Sequence, residues 1–193
     1  MAVSTRSFIE TKMNLTNQLL IAQPGMPDER FTQAVILICE HNEHGAMGIR
    51  INQPSDIDFA EILLGLDLDD GGLVHNQPVY EGGPVNAECG FILHRGNSQF
   101  DSSITITPSL ALTTSKDIIQ AIAKDNVKGE WLMALGCATW DAGQLEQEIA
   151  ANDWLSGPVD ENLLFDLSED KWSQALGLLG IKPHQLVDIG GHA

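Results

Sequence analysis

The segment AVILIC, residues 34–39, constrains the fold of this chain more than any other feature. It is a continuous apolar run rich in β-branched residues, without the alternation of a half-exposed strand. Such a run predicts a strand that is buried on both faces. AMGIRIN at 46–52 predicts its neighbour, because the intervening EHNEHG ends in Gly45, which suits a hairpin turn. We therefore expect a central hairpin inside the core.

Capping residues predict where helices begin. At each start a side-chain oxygen can accept a hydrogen bond from a backbone N–H of the first turn. The predicted starts are Asp58 with Glu61, Thr114 with Asp117, Asp141 with Gln144, and a position near Ser168, from which a last helix runs to Gly180. We expect about four packed helices.

Short apolar runs between these helices predict further strands, and the strands and helices alternate irregularly. Early antiparallel pairs and later crossovers favour an α+β fold with a mixed, largely antiparallel sheet over a regular doubly wound fold. We expect a single domain at 13–193. Residues 1–12 are polar and aperiodic. They predict a disordered N-terminal leader, with Met13 as an alternative start of translation.

The charge balance restricts the classes of partner. The formal net charge is −17, from 27 acidic and 10 basic residues, and the basic residues are scattered singly. Binding to duplex DNA or to an anionic membrane requires a basic face. We therefore expect no direct nucleic-acid binding and no membrane association. The remaining partners are an unknown small molecule or a protein, and we expect the chain to be a monomer.

The cysteine count and the apolar runs predict the compartment. Three cysteines form an odd set, and no apolar segment has the length of a signal peptide core or a membrane span. Free thiols are typical of a reducing environment. We expect a cytoplasmic location.

Cys137 allows two interpretations. It follows a buried strand and Gly136 and precedes a helix, which is how several thiol hydrolases present their nucleophile. It also lies four residues before the predicted cap at Asp141, beyond the range of the helix dipole, and Thr139 stands where the elbow motif requires glycine. A cysteine at the end of an apolar strand is otherwise a small buried hydrophobe.

Three further motifs each allow a functional and a structural interpretation. Cys39, His41 and His44 offer zinc ligands, with Cys39 and His41 on one face of a strand, but no second ligand pair accompanies them. EGGP at 81–84 lacks the lysine and spacing of a phosphate loop, so a tight turn is favoured. TTSKD at 113–117 is explained by helix capping, with anion binding as the alternative. We expect no metal site and no cofactor.

A set of polar side chains lies at the ends of predicted strands. If these ends converge, the side chains line a ligand-binding cleft; otherwise they are solvated strand ends. The set consists of Glu40, His41, Asn52, Glu81, His94 and Thr114.

Several motifs together resemble the YqgE/AlgH family of bacterial proteins. The resemblance runs in order from Met13 through nearly the whole chain. It rests on LLIAQPGM (19–26), ICEHNEHGAMGIRIN (38–52), VYEGGPV (79–85), GFILH (90–94), ALTTSKD (111–117), ALGCATWDAGQLEQEI (134–149), WLSGPVDENLLFD (154–166) and the closing GGHA. Trp140 and Gln144 match the family pattern and complete the candidate cleft.

The resemblance implies a complex α+β fold with a barrel-like sheet. Most members are uncharacterised, and one branch is linked genetically to the regulation of alginate synthesis. The acidity of this chain makes any such role indirect. The family often has an aromatic residue in place of Cys137, which argues against a shared catalytic thiol. It often has Asn-Arg-Pro where this chain has Asn52, Gln53 and Pro54. A ligand-binding role of that family arginine therefore does not carry over to position 53, and Arg50 can substitute for it only in part.

These observations predict a non-catalytic binding protein or indirect regulator that uses the polar cleft. The alternative is a small-molecule hydrolase or transferase using the same cleft. That enzyme would need a group with a perturbed pKa in the cleft. No catalytic set is recognisable in the sequence.

Overall fold

The computed structural model describes residues 13–69, 71, 77–96, 99–168 and 170–187. The leader predicted at residues 1–12 lies outside the described residues. The strands are β1 (Gln18–Ala22), β2 (Val35–Asn42), β3 (Gly45–Arg50), β4 (Pro54–Asp58), β5 (Pro78–Glu81), β6 (Val85–Arg95), β7 (Ser103–Thr107), β8 (Leu110–Thr113), β9 (Trp131–Asp141) and β10 (Trp154–Pro158). The helices are α1 (Phe59–Gly65), α2 (Lys116–Ala123), α3 (Gln144–Ala150), α4 (Glu161–Phe165), α5 (Lys171–Leu178) and α6 (Pro183–Val187).

The strands form one curled sheet that resembles half of a barrel. The strand order along its main path is β10-β1-β2-β3-β9-β6-β8-β7, and β4 and β5 join beside β9. Within the described residues, β5 with β9 is the one parallel pair, and all the others are antiparallel. Four of the six described helices have seven or more residues. The predicted α+β fold, with its mixed, largely antiparallel, barrel-like sheet and about four helices, is confirmed.

The predicted central hairpin is β2 with β3. The first five residues of β2 are all buried, because both faces of the strand are covered. Leu37 packs on one face against a cluster that includes Leu164 of α4 and Leu176 of α5. Ile36 packs on the other face with Leu145 of α3. The continuous apolar run therefore reflects packing on both sides of the sheet.

A β-bulge in β2 changes which face its next residues meet. The register with β3 shifts between Ile38 and Glu40. Cys39 packs in the cluster of α4 and α5, whereas His41 bonds to Glu146 on α3, on the opposite side. The expectation that Cys39 and His41 share a face is wrong, because the extra residue of a bulge reverses the alternation of side chains.

A third cluster packs α1 and α2 against β6 and β9. It includes Phe59 and Ile118 from the helices with Ile92 and Met133 from the strands. The helix α1 begins as predicted. Asp58 accepts from the backbone N–H of Glu61, and the Glu61 side chain accepts from that of Asp58.

The helix α3 begins later than predicted. β9 continues through Asp141, and Gly143 then adopts a left-handed conformation with φ of 79°. Gln144 Oε1 still accepts from the backbone N–H of Asp141 at 3.0 Å, which is half of the predicted capping box. Asp141 is therefore not the cap, because the turn at Gly143 separates it from the helix. Similarly, α2 is preceded by Ser115 rather than Thr114. Among the described helices, none combines the length and apolar character of a membrane span.

A candidate ligand-binding groove

Two cavities lie side by side on the surface and share a wall. The arginine cavity, of about 590 Å³, contains Arg50 and Glu81; the tryptophan cavity, of about 440 Å³, contains Trp140 and Trp154. Arg30, Phe31 and Pro84 line both cavities. We call the two cavities together the groove. Each volume is in the range of a small-molecule site.

Glu148 organises the tryptophan cavity. Its Oε2 accepts from the indole Nε1 of Trp140 and from that of Trp154, each at 2.8 Å. Its Oε1 accepts from Nε2 of Gln144 at 2.8 Å. Gln144 and Glu148 are neighbours on α3 because residues four apart share one face of a helix. Three donors on one carboxylate hold this wall in place.

The aromatic rings of this cavity pack edge to face. The ring centroids of Trp140 and Trp154 are 6.2 Å apart, and those of Phe31 and Trp154 are 5.7 Å apart. Such pairs stabilise each other beyond the effect of burial alone. Trp140 is the penultimate residue of β9 and Trp154 begins β10, so the pair connects separate strands of the sheet. A ligand would therefore meet a rigid aromatic wall.

Arg50 lies at the end of β3 with a side chain that is 11% exposed. Its Nε donates to the backbone oxygen of Glu81 at 2.9 Å, and one terminal nitrogen donates to Glu81 Oε2 at 3.0 Å. The other donates to the backbone oxygen of Arg30 at 2.6 Å. Burial lowers the pKa of Arg50 and the Glu81 carboxylate opposes this shift. The guanidinium stays charged, because arginine does not lose its proton in proteins.

The glycines of EGGP serve a close backbone crossing. A Cβ on Gly83, where φ is 156°, would lie 2.2 Å from the carbonyl carbon of Cys137 in β9. A Cβ on Gly136, where φ is 73°, would lie 2.3 Å from the carbonyl oxygen of Gly83. The segment from β5 to β6 therefore presses directly on β9. This contact explains the paired glycines of EGGP, Gly82 and Gly83, without a phosphate-binding role.

The structure places three of the predicted cleft residues in the groove. Trp140 and Gln144 line the tryptophan cavity, and Glu81 lines the arginine cavity. Glu40 lies on a shallow depression of about 190 Å³ that Trp140 also borders. Thr114 lines another cavity, of about 560 Å³, between α1 and α2.

Asn52, His41 and His94 are engaged in the framework instead. Asn52 Oδ1 accepts from the backbone N–H of Val35 at 2.8 Å, and its Nδ2 donates to the backbone oxygen of Gln33 at 2.8 Å. The eight residues therefore do not converge on one cleft. In an antiparallel sheet successive strands end at opposite edges, so strand ends do not meet as they do in a parallel sheet.

His41 anchors the chain before β1. Its Nδ1 accepts from the backbone N–H of Leu15 at 3.0 Å, which leaves the proton on Nε2 to donate to Glu146 Oε1 at 3.1 Å. The ring is buried, with 3% of the side chain exposed. Across the described residues, no three His, Cys, Asp or Glu side chains are grouped as metal ligands.

His94 lies in the core near α2. Its Nε2 is 2.9 Å from Thr113 Oγ1, and its ring meets Phe100 edge to face at 5.6 Å. Burial lowers the pKa of His94. His94 lines neither cavity of the groove.

Cys137 lies inside β9 and is 3% exposed. Burial raises the pKa of its thiol, and α3 begins only at Gln144. A reactive thiol needs a lowered pKa and access to solvent. The environment of Cys137 is that of a buried structural residue.

Sequence reasoning missed Arg30, Phe31, Glu148 and Trp154 as groove residues. Glu148 had a local signal, because it lies one helical turn after Gln144, which matches the family pattern. Arg30 and Phe31 come from a short 3-10 helix at 29–31 and Trp154 from an edge strand, and no spacing in the sequence connects them with β9.

The comparisons with known proteins agree with the fold. UPF0301 proteins of Xanthomonas campestris and Ralstonia nicotianae are 46% and 45% identical over 182 and 186 residues. These alignments cover 93% and 95% of this chain and 96% and 98% of those proteins. The solution structure of the AlgH protein from Pseudomonas aeruginosa has a TM-score of 0.76 and 38% identity, with all of both chains covered. A crystal structure of a Corynebacterium diphtheriae protein has a TM-score of 0.67 and 25% identity, covering 84% of this chain and 85% of that one.

A family model described as AlgH-like matches residues 19–184. This match confirms the resemblance drawn from the motifs. The chain belongs to the AlgH-like family.

Proposed function

We propose that this protein is a non-catalytic binding protein that holds a small molecule in the groove. The observation that carries the proposal is the shared wall of Arg30, Phe31 and Pro84, which joins two cavities of small-molecule size. The groove combines an aromatic wall with charged groups at fixed positions. This combination is typical of small-molecule sites, where a few polar groups orient a ligand against apolar surface.

The chemistry of the groove supports binding without catalysis. Among the described residues that line the two cavities there is neither histidine nor cysteine. Glu148 accepts three hydrogen bonds and Glu81 pairs with Arg50, so neither is placed as a free general base. Any regulatory role is proposed to act through the bound molecule or a protein partner, because the net charge of −17 opposes contact with DNA. The three free cysteines support a cytoplasmic setting for this role.

The test is native mass spectrometry of the untagged protein, purified from its own cells and compared with its denatured mass. We expect an excess mass that is lost on denaturation. Gln144→Ala removes a bond to Glu148 and should reduce the fraction of protein that carries the excess mass. Gln174→Ala is the matched control, since the Gln174 side chain bonds to Ser168 outside the groove.

Two outcomes would contradict the proposal. One is the absence of any excess mass in the native spectrum together with no ligand response in the groove by NMR. The other is saturable turnover of the bound molecule that disappears in Glu148→Gln, which would establish the enzyme alternative instead.

A further inference from the structure

Arg50 has more hydrogen-bond donors than its neighbours use. A guanidinium carries five N–H donors, one on Nε and two on each terminal nitrogen. Bonds to other described residues use Nε and one donor on each terminal nitrogen. Each terminal nitrogen therefore retains one further donor, and Arg50 is one of the residues that line the arginine cavity. Two such donors of one planar guanidinium suit the two oxygens of a carboxylate or a phosphate.

Gln53 provides a second polar group at the same cavity. It follows β3 and lines the cavity together with Arg50, and its carboxamide makes no hydrogen bond to another described residue. Its amide can donate to an oxyanion in the same way as the guanidinium. Ser55, by contrast, already donates its hydroxyl proton to the backbone oxygen of Ile57 at 2.9 Å.

The distribution of charge also singles out this cavity. The chain has only 10 basic residues, and two of them, Arg30 and Arg50, line it. Arg30 is paired with Asp28 through Nε and a terminal nitrogen, at 2.9 and 2.6 Å. Arg50 is likewise paired with Glu81, but its side chain is 11% exposed and held by three hydrogen bonds, whereas the side chain of Arg30 is 67% exposed. Arg50 is therefore the stronger candidate, because its position at the cavity is fixed.

The remaining lining restricts the kind of anion. Asp56 and Glu81 line the same cavity and repel a free inorganic anion. Phe31, Ile57 and Leu135 supply apolar surface beside the charged groups. A ligand gains most when its anionic group reaches Arg50 and its apolar body covers these side chains.

We propose that Arg50 and Gln53 form an anion subsite, which binds the carboxylate or phosphate group of a small molecule with an apolar body. This inference rests on the proposed function of the groove and adds the chemical class of its ligand.

The experiment is a 15N NMR titration of the full chain with three probes: benzoate, phenyl phosphate and the neutral benzyl alcohol. We expect one or both anionic probes to shift the Nε–H signal of Arg50 and the amide signals around Gln53, and benzyl alcohol to bind more weakly. Arg50→Lys keeps the positive charge but removes the planar guanidinium, which can donate to both oxygens of an anion at once. It should raise the Kd of the bound anion about tenfold. Arg95→Lys is the matched control, because Arg95 pairs with Glu130 and Glu161 away from the groove.

The outcomes separate this subsite from the proposed function. If neither anionic probe binds more tightly than benzyl alcohol, or if the Kd is unchanged in Arg50→Lys, the anion subsite is overturned while small-molecule binding by the groove stands. No response to any probe, with no excess mass in the native spectrum, overturns both. A response to one anion alone identifies the ligand group as carboxylate or phosphate. If Arg50→Lys does not fold, Gln53→Leu replaces it, with a raised Kd expected for the anionic probes alone.

Discussion

Arg50 and Lys171 are both buried basic side chains, and they differ in what surrounds the charge. Lys171 Nζ donates to the backbone oxygens of Ile51 and Leu164, each at 3.0 Å, and lies 4.9 Å from the ring centroid of Tyr80. It is 1% exposed and lines none of the cavities of the groove. Arg50 faces a cavity and retains unused donors. A buried charge therefore indicates a binding site only where it meets accessible space.

The two side chains hold adjacent points of the backbone. Lys171 binds the carbonyl of Ile51, directly after Arg50 at the end of β3. Arg50 in turn binds the segment that leads from β5 into the paired glycines. Lys171 lies in the core beneath the end of β3, whereas Arg50 lines the groove. Substitutions near the groove and substitutions near Lys171 should therefore change the stability of the protein in different ways.

The largest expected effect is on the groove side, at Gly83. In Gly83→Ala, the new methyl group meets the backbone of β9 at Cys137. Neither of these two segments can move away without breaking hydrogen bonds of the sheet. We expect the free energy of unfolding to fall by about 3 kcal/mol or more. Urea denaturation monitored by circular dichroism measures this loss. A variant as stable as the wild type would show that the two segments do not touch.

The next effect concerns the pH dependence caused by Lys171. Burial lowers its pKa to about 8 from the value of 10.5 for a free lysine, partly opposed by Asp166. Between these pH values the unfolded chain binds the proton and the folded chain does not. The free energy of unfolding therefore rises with pH across this interval, by about 3 kcal/mol from this residue. Lys171→Met should lack this rise.

Urea denaturation at several pH values from about 7 to about 10.5 measures the difference in stability between wild type and variant. Lys182→Met is the matched control, since Lys182 is exposed. We expect the free energy of unfolding of the wild type to rise with pH relative to that of Lys171→Met. Relative to that of Lys182→Met it should stay constant. A constant difference for both variants would show that Lys171 keeps an ordinary pKa.

The smallest expected effect is at Gly177, which lies in α5, the same helix as Lys171. It is exposed, and a Cβ there would meet no other atom within 4 Å. Gly177→Ala should raise the free energy of unfolding by about 0.5 to 1 kcal/mol, because alanine favours the helix. Thermal unfolding detects this gain as a higher Tm. A loss of stability would mean that α5 needs the freedom of glycine at this position.

Local patterns predicted the elements well and the groove only in part. The apolar run of β2 and the capping box of α1 were correct, because each depends on residues close together in the chain. The start of α3 was wrong, because the left-handed Gly143 overrides the capping signal at Asp141. The shared face of Cys39 and His41 was wrong because of a bulge that no local residue pattern marks.

The residues of the chain alone determined the α+β class, the central hairpin and the strongly acidic net charge. These features follow from hydrophobic periodicity, turn chemistry and net charge, which act over short distances or over the whole composition. Tertiary structure decided which polar side chains meet. Glu148 joins tryptophans from two strands, and Arg50 joins Arg30 to Glu81 at the end of β5. These contacts depend on how distant segments cross in the curled sheet, and sequence spacing does not encode that crossing.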